Sequence, residues 1–223
     1  MIETILKNIK KQRYFFFIYA LFLLFLVIIL SSFSKTDATL WANQFWTPFQ
    51  DIFYRYITYL GDFGMAAVIV IALLFWKFKY AIIAILSFAV TAGVTQILKK
   101  IIFADVKRPT HHKDLWGLYR SGELHVVEGV QQMSDYSFPS GHTTSAFSMF
   151  CLLALLSKNK WLGLVSIIFA ILIAYSRVYL CQHFYEDIFV GSLIGAVGSL
   201  LIYSYFENKP FGNWGQKSLL NLK

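Results

Sequence analysis

The chain has 223 residues, of which 57% are hydrophobic and 18% aromatic: one domain's worth of sequence, too apolar for an ordinary soluble fold. A net charge of +8 could serve a nucleic-acid partner, but the basic residues flank hydrophobic runs or join the motifs below, and no nucleic-acid motif accompanies them. That leaves a membrane, with anionic lipid as the partner.

Residues 1–13 carry Lys7, Lys10, Lys11 and Arg13 ahead of an apolar run at 14–33. The run matches the ~20 residues a bilayer-spanning helix needs and exceeds the ~7–15 of a signal-peptide core. It is expected as an uncleaved first span, with processing at the small residues Ser31-Ser32-Phe33-Ser34 as the lesser alternative. Residues 34–56, with Trp41, Phe45, Trp46, Phe49 and Tyr54, read as an amphipathic stretch on the outer interface. A second span is predicted at 57–76, with Asp62 in its outer turn as a cap or a water-facing group, and a third at 80–98. Lys77 and Lys79 mark the turn between them.

The outer loop, 99–138, is the longest polar segment, and loops of that length are often functional. His111, His112 and His125 fit no zinc spacing and read as surface histidines. Spans four to six are predicted at 141–156, 161–179 and 187–206, with a short turn at Lys158 and Lys160. Cys151 falls deep in the fourth span and Cys181 near the outer end of the fifth, so both are expected as unpaired thiols. Gly191, Gly195 and Gly198 read as a close helix contact.

In this layout eleven of the twenty Lys and Arg residues lie inside: Lys7, Lys10, Lys11, Arg13, Lys77, Lys79, Lys158, Lys160, Lys209, Lys217 and Lys223. Six of the remaining nine lie between Lys99 and Arg120, in the outer loop. Setting that loop aside leaves eleven against three, with both termini cytoplasmic, as the positive-inside rule requires. The fold class expected is all-α, a single membrane domain over 1–223 with six transmembrane helices.

The polar chemistry is concentrated late in the chain. Pro139-Ser140-Gly141-His142 has the parts of an anion site at a helix start: Pro139 restrains the approach, Ser140 can cap the helix, and Gly141 lets backbone come close to a bound group. Alone, the tetrapeptide fits an ordinary cap with a surface histidine as well. Residues 176–187 add Ser176-Arg177-x5-His183-x3-Asp187. The four-residue step from His183 to Asp187 stacks them on one helix face, so the carboxylate can hold one imidazole nitrogen and leave the other free. Arg177 offers a forked donor for phosphate oxygens. Six residues separate Arg177 from His183, so a turn is needed to bring them together. A basic cluster, Lys99, Lys100, Lys107 and Arg108-Pro109, lies upstream.

These segments resemble the signature of the type 2 phosphatidic acid phosphatases, the membrane lipid phosphate phosphatases: Lys-x6-Arg-Pro, Pro-Ser-Gly-His, and Ser-Arg-x5-His-x3-Asp. The second and third parts match without a gap. In the first, Lys100 stands seven intervening residues before Arg108, not six. The resemblance implies that His183, held by Asp187, attacks phosphorus and forms a phosphohistidine. His142 then protonates the departing oxygen. Lys100, Arg108, Arg177 and the backbone at Ser140-Gly141 neutralise the phosphoryl oxygens, so no metal or cofactor is called for.

The implied substrate is a lipid phosphate in the outer leaflet of a bacterial cytoplasmic membrane: undecaprenyl pyrophosphate, phosphatidylglycerol phosphate, phosphatidic acid or a lipid A phosphate. The active site would face the exterior, with no obligatory protein partner. A lipid phosphotransferase using the same histidine and a non-catalytic lipid-phosphate carrier are the rival readings. Vanadium-dependent haloperoxidases share the motifs but are soluble.

Overall fold

A computed structural model describes residues 1–157 and 159–221; the expected inner-side residues Lys158 and Lys223 lie outside the described residues. The described residues form ten α-helices with short 3-10 and π turns, and no strand. The first is α1 (Ile2–Lys11), followed by α2 (Arg13–Ser32), which meets the first predicted span. On α2 the buried residues Phe15, Tyr19, Phe22, Leu26 and Ile29 recur every three or four positions. Phe17, Leu21, Leu24 and Ile28 on the other faces are exposed. One stripe packs on the core and the rest of the helix is dressed for lipid.

The stretch expected at the interface forms α3 (Lys35–Asn43) and α4 (Pro48–Ile57). Ser34 and Thr47 cap them by accepting from Asp37 N at 3.1 Å and Gln50 N at 3.2 Å, and Pro48 takes the first turn of α4 where no N–H is needed. The second span departs from expectation. Residues 57–76 are a 3-10 turn (Thr58–Gly61), an extended Asp62, and α5 (Phe63–Trp76) of 14 residues, bent by 53° from α4. The break falls where Asp62 leaves helical backbone, at φ −78° and ψ 160°.

Next comes α6 (Phe78–Ile97), which runs on through a π turn, Leu98–Ile102. The loop beyond carries α7 (Trp116–Ser121). The last three helices, α8 (Gly141–Ser157), α9 (Lys160–Tyr179) and α10 (Tyr185–Phe206), match the predicted spans closely. Among the described residues four helices are long and apolar enough to cross a membrane, five if the bent α4–α5 pair counts as one span. The 17-residue α8 is shorter.

That shortness has a physical reason. Eleven residues of α8 are buried, so its neighbours α6, α9 and α10 shield it from lipid, and it can carry polar side chains. Thr144 and Ser148 meet Thr95 at 3.2 Å and Thr91 at 3.4 Å on α6, and Ser148 meets Ser199 on α10 at 2.7 Å. Small hydroxyl residues let these helices approach while satisfying one another. On α10, a Cβ at Gly191 would come within 2.7 Å of Ser140 O, one at Gly195 would strike Thr144 O, and one at Gly198 would lie 2.5 Å from Thr91 Cγ2. The glycine row is therefore the close helix contact expected.

One end of the bundle gathers both termini. Asn8 Nδ2 donates to Ser204 Oγ at 3.1 Å and Glu207 Oε2 at 2.9 Å, and Phe78 N donates to Lys217 O at 2.9 Å. The other end of α10, some 33 Å away at ~1.5 Å per residue, carries Asp187.

Candidate active site

The site is built where α9 stops. Leu180 closes the helix, Cys181 takes left-handed backbone at φ 53°, and the N–H groups of Gln182 and His183 fold back on Arg177 O at 2.9 and 3.1 Å. A left-handed residue is the usual way to end a helix, although a non-glycine there costs of order 1 kcal/mol. This turn puts Arg177 and His183 on one cavity, the rearrangement their six-residue separation requires.

His183 is 1% exposed, and its Nδ1 lies 3.1 Å from Asp187 Oδ2. The same oxygen accepts from Phe184 N at 2.9 Å and Ser137 Oγ at 2.5 Å. Three donors fix one carboxylate, so the imidazole plane is fixed too, and Nε2 is left for the cavity. Burial pushes His183 well below the usual histidine range, and the positive charges of Arg108, Lys99, Arg177 and His142 push it further. A neutral ring that donates from Nδ1 to Asp187 keeps its lone pair on Nε2.

A cavity of about 340 Å³ opens in front of it, lined by Gly61, Asp62, Lys99, Arg108, Gly141, His142, Arg177 and His183 among others. Arg108, on the loop at 99–138, is anchored through Nε to Asp135 O at 3.0 Å and through Nη1 to Gln182 O at 3.2 Å and Gln182 Oε1 at 3.0 Å. Gln182 Nε2 in turn donates to Gln131 O at 3.1 Å and Gln132 Oε1 at 2.9 Å, so the residue beside the histidine ties the loop to the site. Arg177 Nη1 donates to Thr58 Oγ1 at 2.7 Å. Gly141 and His142 occupy the first turn of α8, where N–H groups lack helical acceptors and favour an anion.

Two phosphate-binding expectations are corrected. Lys100 is exposed and does not line the cavity, whereas its neighbour Lys99 is 8% exposed and does. The π turn at Leu98–Ile102 explains the spacing: its wider turn accommodates extra residue length between the lysine and Arg108, and the backbone rotation between successive residues takes Lys100 away from the site. Ser140 does not face the cavity either. Its N–H donates to Asp187 O at 3.1 Å, and its Oγ caps α8 by accepting from Thr143 N at 3.4 Å and Thr143 Oγ1 at 3.0 Å. Ser140 braces the site and Gly141 lines it.

Asp62 was legible only as a cap or a water-facing group, yet its Oδ1 lies 2.5 Å from His142 Nε2. Gln182, Ser137 and Thr58 were also missed, because neutral hydrogen-bonding side chains carry no spacing signal. The loop histidines disperse: His111 Nδ1 lies 3.1 Å from Thr110 Oγ1, His112 packs edge-on against Phe184, and His125 meets Asp51 at 2.9 Å beneath Trp46. Cys151 and Cys181 are free and buried.

The PAP2 superfamily model matches residues 80–211, which hold every motif residue above. The lipid A 4'-phosphatase of Bacteroides thetaiotaomicron is 25% identical over 72% of this chain and 70% of its own length. The undecaprenyl-diphosphatase of Sulfolobus acidocaldarius is 41% identical over a shorter region, 30% of this chain and 32% of its own. In structure, the chain resembles the first transmembrane PAP2 type phosphatidylglycerolphosphate phosphatase from Bacillus subtilis, with a TM-score of 0.62 and 25% identity, covering 91% of this chain and 99% of that one. Family model, the second and third motifs and the fold agree, and the chain belongs to the PAP2 superfamily.

Proposed function

We propose that the chain is a lipid phosphate phosphatase that hydrolyses a phosphomonoester or pyrophosphate of a membrane lipid through a phosphohistidine on His183. The observation that carries this reading is the Asp187-held imidazole of His183 on a cavity whose walls include Lys99, Arg108 and Arg177. A phosphoryl group entering there brings the negative charge those side chains lack. Preorganised cations and first-turn N–H groups of α8 stabilise the equatorial oxygens of the transition state.

In the first step the Nε2 lone pair of His183 forms the N–P bond while the P–O bond to the lipid breaks. The leaving oxygen takes a proton from His142. In the second step water attacks phosphorus, gives its proton to His142, and releases phosphate as the N–P bond breaks. Asp187 stays ionised throughout and stabilises the imidazolium that the Nδ1 proton would otherwise leave uncompensated.

The lipid is one of those that relatives are named for, undecaprenyl pyrophosphate, phosphatidylglycerol phosphate or a lipid A phosphate, or else phosphatidic acid. The six-span arrangement counts α8 and the bent α4–α5 pair as crossings. The site then faces the exterior of a bacterial cytoplasmic membrane and the end holding both termini faces the cytoplasm, supported by the described basic residues expected on that side, Lys7, Lys10, Lys11, Arg13, Lys77, Lys79, Lys160, Lys209 and Lys217. The test is phosphate release by detergent-purified protein from a panel of these four lipids with chelator present. Release identifies the substrate class. Phosphate transferred only to an added acceptor would make the chain a phosphotransferase instead.

A further inference from the structure

Asp62 is an aspartate at a helix start that does not cap its helix. It is the N-cap residue of α5, yet its side chain accepts nothing from that helix. Aspartate in that position ordinarily stabilises its helix through such a bond. Here the carboxylate turns across to α8, and Oδ1 lies 2.5 Å from Nε2 of His142.

The backbone around it is arranged for that contact. A Cβ on Gly61 would come within 3.0 Å of His142 O and 2.8 Å of Ile173 Cγ2, so only glycine lets the turn press against the first turn of α8. At the other end of the same 3-10 turn, Thr58 is held by Arg177 at 2.7 Å. The turn carrying Asp62 is thus fixed from α8 and from α9, at the point where α4 and α5 bend apart. Both Asp62 and His142 line the cavity that His183 faces.

We propose that Asp62 is the positioning residue of the acid–base histidine. The site then holds two Asp–His pairs: Asp187 on Nδ1 of the nucleophile His183, and Asp62 on Nε2 of His142. The carboxylate holds the His142 ring in one orientation and balances its charge when water gives it a proton. When the lipid oxygen leaves with the electrons of the P–O bond, that proton passes from His142 to the oxygen, and Asp62 remains a carboxylate. This rests on the reading of His142 as the acid, and the experiment separates the two.

The experiment uses detergent-purified full-length protein and two substrates. A short-chain phosphatidic acid has an alkoxide leaving group that needs the acid; p-nitrophenyl phosphate has one that does not. Asp62→Asn is expected to lower kcat on phosphatidic acid by about tenfold to a hundredfold, a share of the roughly 10²–10⁴ that a positioned general acid contributes. KM should stay within about threefold, the aryl substrate should be largely spared, and Asp62→Glu should recover part of the loss. His142→Ala should show the same selectivity more strongly, and adding Asp62→Asn to it should cost nothing further. Equal loss on both substrates in Asp62→Asn, or losses that multiply in the double variant, would overturn the role of Asp62 while leaving His142 as the acid. Equal loss on both substrates in His142→Ala would overturn the reading of His142, and the role of Asp62 with it. A thermal melt matching wild type confirms that each variant is folded.

Discussion

Asp187 Oδ2 lies 3.1 Å from Nδ1 of His183 and accepts two further hydrogen bonds, from Phe184 N and Ser137 Oγ. The oxygen that orients His183 therefore also fixes the start of α10 and the loop leading into α8. Asp187→Asn replaces an acceptor with an amide that cannot serve all three donors. It is expected to lower kcat by roughly 10²–10⁴ with little change in KM, the pattern seen when the orienting member of such a triad is neutralised. Steady-state kinetics on the best lipid substrate checks this.

Lys99 and Lys100 should behave oppositely although they are neighbours. Lys99→Ala removes a cation from the cavity wall and is expected to cost about 10² in kcat/KM, by analogy with the loss of one preorganised donor. Lys100→Ala should stay within about threefold of wild type, because its side chain is exposed away from the site. The reverse ranking would contradict the placement.

The pH dependence follows from the burial of His183, which, together with the nearby Arg108, Lys99, Arg177 and His142, holds it well below its unfolded value of about 6.5. A depressed histidine resists protonation in the folded state only, so its contribution to stability is fully present above about pH 6.5 and lost as pH falls towards the folded value. Wild-type protein should lose more Tm between pH 8 and pH 5 than His183→Gln does. Parallel curves would mean that the ring is not held neutral by the fold.

A fourth expectation concerns Gly195. Its α carbon faces Thr144 O and lies so close to Phe147 that an added Cβ would sit 2.9 Å from that side chain's own Cβ. Gly195→Ala should destabilise the protein by about 1–3 kcal/mol through overpacking and lower activity as well, since α8 begins with Gly141 and His142. Denaturation in detergent together with kcat reads both effects.

What the sequence revealed and what it hid divide along physical lines. The helices α2, α9 and α10 were legible because a lipid-facing helix must be apolar over its whole length, and their ends were found to within one or two residues. The break at Asp62 was not, since the apolar run from 63 to 76 continues past it and hydropathy does not register one extended residue. The contact between His183 and Asp187 was legible in their step of four, although His183 meets Asp187 from the turn before α10 and not from the helix face expected. Lys99 was legible as part of the basic cluster, but the phosphate role went to Lys100, because a π turn changes which side chain faces inward without changing composition. Gln182 holds Arg108 from a position that no spacing marks.

The central claim is that His183 carries the phosphoryl group. Rapid acid-free quenching of wild-type protein during turnover, followed by peptide mass spectrometry, is expected to find an acid-labile phosphoryl group on the imidazole of His183, and His183→Ala should neither bear it nor release phosphate. Turnover retained in folded His183→Ala, or a phosphoryl group trapped on a different residue, would contradict the account.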